Sequence, residues 1–509
     1  MSEYTPLEKI RLEKVDALRK AGIEPFPTRA RRTHTSRQAI ELFEQAEKQA
    51  SGGQAAEVQA TLTGRIRATR PMGKLTFAHI EDGEGRIQLF LRVNELGQEK
   101  VDLFNERFDL GDFIQASGSL MRTRSGEVTL QVSDFAMLAK AISPLPAAKD
   151  ETLEDGTVVR HAALEDPELR ARQRYADLAV NPEVRETFRL RASMIRALRE
   201  FLDGQGFLEV ETPILQPIYG GAAARPFTTH HNQLKQDLFL RISFELYLKR
   251  LLVGNLEKVY EIGRDFRNEG VSFKHNPEFT QLEFYWAYAD YQQVMQLTEQ
   301  MVAHAFQRAR GTMKVTYQGQ ELDFTPPWQR LSLREGIRQT AEIDIAEHPT
   351  AESLYQEIVK TGKRPNPQAS RGKLIDFLLA EFLEPTLIQP TFLYDYPRDI
   401  SPLAKSMPGD PLTVERFEGY VSGFELCNAF TELNDPLDQE QRFLEMGRDY
   451  AADDEEQHPM DEDYLRAMRY GMPPCGGFGL GVDRLAMLIA DKHSIREVLL
   501  FPHLRETEA

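Results

Sequence analysis

The sequence predicts an α+β protein of several domains, in which a small five-stranded β-barrel precedes a large domain that mixes helices and strands. The 509 residues are enough for about three domains at roughly 150 residues each. Between residues 58 and 132 apolar residues recur mainly at every second position, whereas later segments carry them at helical spacing. A stretch rich in proline, alanine and acidic residues separates the two patterns.

Two helices are predicted before the barrel. Residues 7–22 and 36–50 carry apolar residues at helical spacing among mixed charges, as surface helices do. Ser51-Gly52-Gly53 then interrupts the pattern. We therefore assign residues 1–57 to an N-terminal helical extension.

The barrel is predicted at residues 58–142. From Val58 to Ile66 apolar and polar residues alternate, which indicates a half-buried strand. Similar runs separated by glycine-containing turns follow at residues 75–80, 86–91, 113–121 and 128–132. Five short strands in a closed barrel are typical of the OB-fold, which frequently binds single-stranded nucleic acid.

The linker is predicted at residues 143–168 and the large domain at residues 169–509. Leu190, Met194, Leu198 and Leu202 are spaced as on one helix face. The runs Lys258–Ile262 and Tyr420–Leu426 indicate strands. We expect one large α+β domain.

Composition restricts the possible partners and location. With 62 basic and 79 acidic residues the net charge is −17, so any nucleic-acid contact must be confined to part of the surface. No apolar run approaches the roughly 18 residues of a membrane span, and the N-terminus lacks a secretory apolar core. Cys427 and Cys475 lack the paired spacing of a zinc site. We predict a cytoplasmic protein with no zinc and no membrane contact.

The first candidate site surrounds two predicted strands joined by a polar loop. Arg267 suits a bidentate contact with phosphate or carboxylate, His275 can reach a distal phosphate, and Phe279 can stack on a purine. The alternative is that Arg267 and Glu269 form only a cross-strand ion pair. The loop and the second strand, which ends in Glu283-Phe284-Tyr285, favour the binding site.

Two further candidates lie later in the chain. The glycines of segment 477–481 would let backbone approach a ligand closely, and Arg484 follows at a predicted helix start. Glu418 and Glu425 are seven residues apart, so they share a face only if a bulge or turn intervenes. Facing one pocket, they would hold Mg²⁺ together with phosphate oxygens; otherwise they are surface carboxylates.

These motifs resemble those of class II aminoacyl-tRNA synthetases, specifically the bacterial-type lysyl-tRNA synthetases, from about residue 5 to residue 503. The three class motifs correspond to segments 206–213, 266–269 and 479–484. Segments similar to the lysine-type members are 220–227, 275–280, 401–404 and 428–435.

The resemblance implies a catalytic domain with an antiparallel sheet flanked by helices, in a homodimer whose interface includes Pro213. It also implies a lysine–tRNA ligase that uses ATP and Mg²⁺. L-Lysine would attack ATP to give lysyl-adenylate and pyrophosphate, and lysine would then pass to the 3′ end of tRNA(Lys). Positioning and electrostatics would supply the catalysis, with no enzyme nucleophile.

The resemblance also assigns residues to each ligand, with Arg267 and Arg484 as the catalytic pair. The ATP-binding residues would be Arg267, Glu269, His275, Asn276, Phe279 and Arg484. The lysine-binding residues would be Gly221, Glu245, Arg267, Glu283, Tyr285, Asn428, Phe430 and Glu432. Glu418 and Glu425 would bind Mg²⁺, and the anticodon-binding residues would be Phe77, Gln88 and Glu127.

Three positions depart from the family pattern. Ser243-Phe244 replaces the common Ala-Pro, Phe424 replaces a basic residue, and Cys475 replaces threonine. Two alternatives stay open: a paralogue that lysylates a protein, and a tRNA-binding relative without activity. The barrel argues against the first, and the retained arginines and carboxylates argue against the second.

Overall fold

The structure of the chain, a computed structural model, describes residues 4–49, 58–146, 149–152, 158–161, 164–449 and 460–505. It forms two compact units, Met1–Glu165 and Asp166–Ala509. No helix among the described residues is long and apolar enough to cross a membrane.

The first unit is built around a closed barrel. Its described helices are α1 (Pro6–Lys20), α2 (Ser36–Gln49), α3 (Val93–Leu96) and α4 (Gln98–Arg107). Its described strands are β1 (Gln59–Met72), β2 (Leu75–Glu81), β3 (Arg86–Arg92), β4 (Phe113–Arg122), β5 (Val128–Ala139), β6 (Lys149–Thr152) and β7 (Val158–His161). The barrel order is β1-β2-β3-β5-β4, and β4 closes onto β1. The predicted five-stranded barrel is confirmed.

Alternation along each strand separates the barrel core from its outer face. On β1, Ala60, Leu62 and Ile66 are buried, while their neighbours in sequence are more exposed. On β2, Ala78 and Ile80 are buried and the residues between them are half-buried on the outer face. The barrel interior is therefore filled with apolar side chains, and its polar side chains lie mainly on the outer face.

The second unit mixes twelve described helices with fourteen described strands. The helices are α5 (Pro167–Arg172), α6 (Arg174–Val180), α7 (Pro182–Gly204), α8 (Glu245–Val253), α9 (Tyr291–Arg310), α10 (Leu333–Ala341), α11 (Ala351–Lys360), α12 (Arg371–Leu378), α13 (Pro436–Asp449), α14 (Glu462–Arg469), α15 (Val482–Ala490) and α16 (Ile495–Val498). The strands are β8 (Leu208–Glu209), β9 (Leu215–Gln216), β10 (Thr228–His231), β11 (Gln236–Leu240), β12 (Lys258–Phe266), β13 (Glu278–Ala287), β14 (Lys314–Tyr317), β15 (Gln320–Asp323), β16 (Gln329–Ser332), β17 (Thr391–Pro397), β18 (Ser406–Met407), β19 (Asp410–Val421), β20 (Phe424–Thr431) and β21 (Cys475–Gly481). Short π and 3₁₀ turns span Leu379–Leu383, Glu384–Thr386 and Arg398–Ile400.

One large sheet organises this unit, in the order β16-β17-β19-β20-β21-β13-β12-β8, with β18 beside β19. The pairs β8–β12 and β16–β17 are parallel, and the pairs between them are antiparallel. Helices α7, α9 and α15 bury apolar side chains, among them Leu198, Val302 and Leu485, in the core against one face of this sheet. The predicted antiparallel-sheet domain with flanking helices is confirmed.

The predicted strand Tyr420–Leu426 is wrong as a single strand. β19 ends at Val421 and β20 begins at Phe424, with a tight turn between them. Ser422 and Gly423 both have positive φ, at 53° and 78°. Apolar residues flank this turn closely, so the alternation pattern runs through it without a visible break.

Candidate active site

A cavity of about 790 Å³ opens over the large sheet of the second unit. Of the residues that the sequence assigned to this domain, those lining the cavity are Gly221, Glu245, Arg267, Glu269, His275, Asn276, Phe279, Glu283, Tyr285, Glu425, Asn428, Phe430, Glu432 and Arg484. Glu418 does not line it and lies behind the wall. The fold thus brings candidate residues that are far apart in the sequence to the lining of a single cavity.

The register of three strands places these side chains on one face. Glu283 and Tyr285 of β13 lie opposite Gly479 and Gly477 of β21. Across β21, Asn428 and Phe430 of β20 lie opposite the same two glycines. Directly opposed residues of antiparallel strands project to the same side, so the glycines form a floor between two rows of functional groups.

Gly477 is required by the space around it. A Cβ atom at this position would lie 2.6 Å from Tyr285 Cε1 and would overlap the Glu432 carboxylate. Gly479 is less restricted, since its nearest atom would be Gln281 Nε2 at 3.0 Å. The absence of side chains on these β21 glycines thus leaves room for the side chains of β13 and β20 and for the Glu432 carboxylate.

One end of the cavity holds three buried carboxylates and one buried ammonium group. Glu245, Glu283 and Glu432 are 6%, 3% and 1% exposed, and Lys249 is fully buried. Lys249 Nζ lies 2.5 Å from Glu245 Oε1 and forms a second ion pair with Glu432. Burial lowers the pKa of Lys249, but Glu245 and Glu432 together raise it well above its usual range, so the group is charged.

The surroundings of the carboxylates at this end of the cavity raise their pKa values. Burial raises the pKa of Glu283 well above its usual range, and the charges of Asp265 and Glu245 act in the same direction. Burial likewise raises the pKa of Glu432, against the opposing effect of Lys249. One cation is therefore too few for three carboxylates, and a further positive charge entering here would be stabilised.

Lys249 was missed in the sequence analysis. Its spacing of four residues from Glu245 places both side chains on one face of α8, which is the signal that would have found it. The sequence contains many such pairs on exposed helices, so the spacing alone does not separate a buried site from a surface pair.

The Glu283 carboxylate is held by three neutral donors. Ser243 Oγ and Gln281 Nε2 donate to Oε1 at 2.8 Å and 3.0 Å. Tyr285 Oη donates to Oε2 at 3.2 Å. The carboxylate is thereby fixed in orientation toward the cavity.

The other end of the cavity carries arginine and aromatic groups. Arg267 is half-buried, and its Cζ lies 5.1 Å from the centre of the Phe279 ring. Among the described residues, no carboxylate lies within 4.0 Å of the Arg267 guanidinium, so the alternative of an ion pair with Glu269 is not present. Its Nε donates to the Ile242 carbonyl at 3.4 Å, and its terminal N–H groups can bind an anion.

His275 is neutral in this arrangement. Burial, together with the positive charges of Arg484 and Lys274, lowers its pKa to about 4. Arg484 donates to Nε2 at 3.3 Å, so the ring proton is on Nδ1, which lies 2.8 Å from Ser272 Oγ. A polyphosphate bound beside Arg484 would favour the protonated imidazole.

Asn276 and Asn428 have their amides engaged by protein groups. Asn276 donates to the Glu278 carbonyl at 2.6 Å and accepts from the His503 backbone N–H at 3.3 Å. Asn428 accepts from Arg416 Nε at 3.2 Å. Both side chains line the cavity in fixed orientations.

Glu418 and Glu425 occupy different environments. Glu418 accepts from Arg416 at 2.5 Å and from the hydroxyls of Tyr396 and Tyr420 at 2.8 Å and 2.7 Å. Glu425 is half-buried at the cavity wall and pairs with Arg484 at 3.2 Å. The turn at Ser422-Gly423 and a register shift between Gly419 and Tyr420 lie between them in the chain.

The electrostatics of Glu425 suit a hard cation. Burial raises its pKa, but Arg484, Arg416 and Arg267 outweigh this effect and lower the pKa, so the carboxylate is ionised. No cluster of three histidine, cysteine or acidic side chains that could hold a metal by itself occurs among the described residues. Carboxylate oxygens of this kind fit Mg²⁺ only if phosphate oxygens and water complete its coordination.

Two departures from the family pattern have clear structural positions. Phe424 packs in the core with its ring 6.3 Å from that of Tyr317, so it faces away from Glu425 and the cavity. Phe244 is buried beneath Arg241, whose Cζ lies 4.2 Å from the ring centre. Neither aromatic side chain lines the cavity beside Glu425.

The barrel brings its three candidate residues together on its outer face. Phe77 is half-buried and stacks on Phe90 with ring centres 4.7 Å apart. Gln88 Nε2 donates to Glu127 Oε2 at 2.9 Å, and His79 lies 2.9 Å from the other oxygen of Glu127. Phe77 is therefore outside the barrel core, next to a polar pair that can contact base edges.

Comparisons with known proteins agree with both units. Residues 166–505 match the family model described as tRNA synthetases class II (D, K and N). Residues 60–138 match the model of the OB-fold nucleic acid binding domain.

Similar proteins span essentially the whole chain. The lysine–tRNA ligase of Roseiflexus castenholzii is 51% identical over 507 residues, which cover 99% of this chain and 100% of the relative. That of Chloroflexus aurantiacus is 51% identical over 505 residues, covering 99% of each chain. That of Pelotomaculum thermopropionicum is 50% identical over 508 residues, covering 99% of this chain and 96% of the relative. The resemblance drawn from the motifs is confirmed: the chain belongs to the class II tRNA synthetases of the D, K and N family, and is a ligase.

Proposed function

We propose that this chain is a lysine–tRNA ligase, as its relatives are named, and that its amino-acid substrate is L-lysine. The observation that carries the choice of lysine is the excess of buried negative charge at one end of the cavity. There, among the described residues, Glu245 and Glu432 share Lys249 as their ion-pair partner and Glu283 has none. A substrate with two ammonium groups supplies the missing positive charge, because buried carboxylates favour a cation that replaces their lost hydration.

The lysine contacts follow from this arrangement. The α-ammonium would bind at Gly221 and Glu245, and the ε-ammonium at Glu283, Tyr285 and Glu432. Asn428 would assist the lysine carboxylate together with Arg267, and Phe430 would pack against the aliphatic stem. All these residues line the one cavity.

The first half-reaction needs no enzyme nucleophile. The lysine carboxylate attacks the α-phosphorus of ATP in line, and pyrophosphate leaves as lysyl-adenylate forms. Arg267 would hold the α-phosphate and the lysine carboxylate, and the positive charges of Arg267 and Arg484 would stabilise the negative charge that develops in the transition state. In the second half-reaction the terminal ribose hydroxyl of tRNA attacks the activated carbonyl, and AMP leaves.

The remaining cavity residues are assigned to ATP. Glu269 and Asn276 would contact the adenosine, His275 the distal phosphate, and Phe279 with Arg484 the two faces of adenine. Glu425, and Glu418 behind it, would hold Mg²⁺, which neutralises phosphate charge when bound. Glu425 would share its carboxylate between Arg484 and the cation, and Glu418 would exchange some of its present donors.

The barrel would read the anticodon of tRNA(Lys). The half-buried ring of Phe77 would stack on one base, and Gln88 and Glu127 would offer polar groups for base edges. The tRNA contact would be confined to part of the protein surface, because the net charge of the chain is negative. The reaction as a whole would take place in the cytoplasm, where tRNA is used.

Assembly and domain limits are also proposed. Pro213 lies beside the exposed apolar residues Leu208, Ile214 and Leu215, which are 51%, 43% and 48% exposed. This surface would form the homodimer interface. We retain the limits 1–57, 58–142, 143–168 and 169–509 for extension, barrel, linker and catalytic domain.

Amino-acid-dependent exchange of pyrophosphate into ATP tests the proposal directly. With the full chain and each of the twenty amino acids, we expect strong exchange only with lysine. Charging of tRNA(Lys) should follow when tRNA is added. Preference for aspartate or asparagine would overturn the choice of substrate, and exchange without tRNA charging would favour the protein-lysylating alternative.

A further inference from the structure

Ser243 connects the two ends of the proposed lysine site. It lies just before α8, is 4% exposed and lines the cavity. Its hydroxyl oxygen lies 3.1 Å from the backbone nitrogen of Glu245 and 2.8 Å from Glu283 Oε1. One hydroxyl group therefore contacts both residues that are assigned to the two ammonium groups of the substrate.

The position of the hydroxyl proton follows from these two contacts. The Glu245 backbone N–H is a donor, so Ser243 Oγ accepts from it. The single proton of the hydroxyl is then directed at Glu283 Oε1, which accepts it. The first peptide group of α8 thereby orients a donor onto the Glu283 carboxylate.

The Ser243 hydroxyl donates to a carboxylate whose ionised form is disfavoured by its surroundings. Burial and the charges of Asp265 on β12 and Glu245 on α8 raise the pKa of Glu283, while the hydroxyls of Ser243 and Tyr285 lower it. Glu432, beyond the end of β20, adds a third nearby carboxylate, and Lys249 is already paired with Glu245 and Glu432. Hydrogen bonds from Ser243 and Tyr285 to the ionised form therefore oppose the protonation of Glu283 that its surroundings favour.

Alanine at this position would lack the hydroxyl. The side chain of alanine otherwise fits, because it is smaller than serine and the site is already close-packed against Gly221.

We propose that Ser243 is a positioning residue for lysine: its hydroxyl, oriented by the start of α8, directs the Glu283 carboxylate at the substrate ε-ammonium and favours its ionised form. This inference rests on the proposed function, since it names the ε-ammonium of lysine as the group that Glu283 binds. It adds a determinant of lysine affinity that acts through Glu283 without touching the substrate.

Ser243→Ala in the full chain tests the inference, with lysine-dependent pyrophosphate exchange measured from acidic to alkaline pH. We expect the KM for lysine at neutral pH to rise roughly ten-fold, as for loss of a hydrogen bond to a charged group. The acid limb of kcat/KM for lysine should move to higher pH, because Glu283 without this donor takes up a proton more readily. The kcat at saturating lysine and the KM for ATP should change little.

Two further variants separate a positioning role from a structural one. Ser36→Ala is the matched control, since Ser36 is 2% exposed and its hydroxyl also donates to a carboxylate, that of Asp82, at 2.7 Å, but in the barrel unit. It should leave the lysine KM and the acid limb unchanged. Ser243→Thr retains a hydroxyl and should keep the acid limb close to that of the original chain.

The outcomes are distinct. An unchanged lysine KM and acid limb in Ser243→Ala overturn the inference, and so does an equal loss for lysine and ATP with a lowered melting temperature. If the original chain itself activates an amino acid without a side-chain cation, both the proposed function and this inference fail. If the original chain activates lysine and the Ser243→Ala variant has the same lysine KM and acid limb as the original chain, only this inference fails.

Discussion

At the scale of single residues, the buried group Lys249, Glu245 and Glu432 has the largest electrostatic consequence. An ion pair that is removed from water is held together by strong attraction, and loss of one partner leaves uncompensated charge. The same group leaves Glu283 without a cation of its own. Stability and substrate recognition therefore depend on the same few atoms.

Glu283→Gln should selectively weaken lysine binding. The change keeps the shape but removes the charge facing the ε-ammonium, so we expect lysine activation to lose at least about 2 kcal/mol, with the KM for ATP nearly unchanged. Steady-state exchange kinetics measure both values. Glu257→Gln, at an exposed residue of the same unit, is the control, and unchanged lysine kinetics in Glu283→Gln would contradict the assignment.

Lys249→Met should destabilise the second unit. The methionine side chain fills similar space but leaves Glu245 and Glu432 buried without a partner, at a cost of about 3–5 kcal/mol. Chemical unfolding followed by circular dichroism measures this loss. Lys360→Met removes a largely exposed pair with Glu357 and should lower the free energy of unfolding far less, so equal effects would show that burial of Lys249 is unimportant.

At the scale of elements, the hairpin of β19 and β20 places the carboxylates of Glu418 and Glu425 in different environments. Glu418 anchors Arg416 and two tyrosine hydroxyls behind the cavity wall, whereas Glu425 lies at the wall itself. The turn at Ser422 and Gly423 and the register shift after Gly419 make this arrangement possible. Neither feature belongs to a single straight strand.

The two alanine variants of this hairpin should therefore fail in different ways. Glu418→Ala leaves the buried Arg416 without its partner and should lower the free energy of unfolding by about 3–5 kcal/mol. Glu425→Ala removes a half-exposed pair and should change it by less than about 1 kcal/mol. Thermal melting separates the two variants.

Magnesium titration of pyrophosphate exchange completes the comparison. We expect Glu425→Ala to remain folded and to lose adenylate formation and its dependence on Mg²⁺, because a phosphate-bridging cation would lose its ligand. A dependence on Mg²⁺ like that of the original chain would exclude Glu425 as a ligand.

At the scale of the whole molecule, the two compact units divide the work of the proposed reaction. The second unit contains every cavity residue assigned to lysine and ATP, and the first contains every residue assigned to the anticodon. Amino-acid activation should therefore need only the second unit, while efficient charging needs both.

A fragment that begins at Asp166 tests this division. We expect it to form lysyl-adenylate at a rate near that of the full chain, and to charge tRNA poorly because the anticodon contacts are missing. Adenylate formation and charging are measured side by side on the same preparation. Charging as efficient as that of the full chain would contradict the role assigned to the barrel.

Phe77→Ala is the milder form of the same test. Loss of one stacked base should weaken tRNA recognition by roughly 1–3 kcal/mol, with normal adenylate formation. Phe113→Ala is the control, since Phe113 is also on the outside of the barrel, 37% exposed, but lies against Arg65 instead of the candidate patch. Circular dichroism must show both variants folded, and normal charging by Phe77→Ala would remove this residue from the anticodon site.

The sequence by itself determined the features that depend on near neighbours. Alternation of apolar residues predicted the five barrel strands, helical spacing predicted α7, and short motifs identified Arg267, Glu283 and Arg484. These signals are local, because a strand or helix repeats its facing pattern within a few residues. Where two strands follow each other through a tight apolar turn, as at Ser422, the same signal was misleading.

Only the tertiary structure decided which of these groups meet. Lys249 and Glu432 are distant in the chain and become partners through the packing of α8 against the large sheet, and Ser243 reaches Glu283 in the same way. Glu418 and Glu425 differ only because one lies behind the cavity wall and the other in it. Burial and partner choice set the charge and orientation of each group, and both depend on sheet register and packing, which no local pattern encodes.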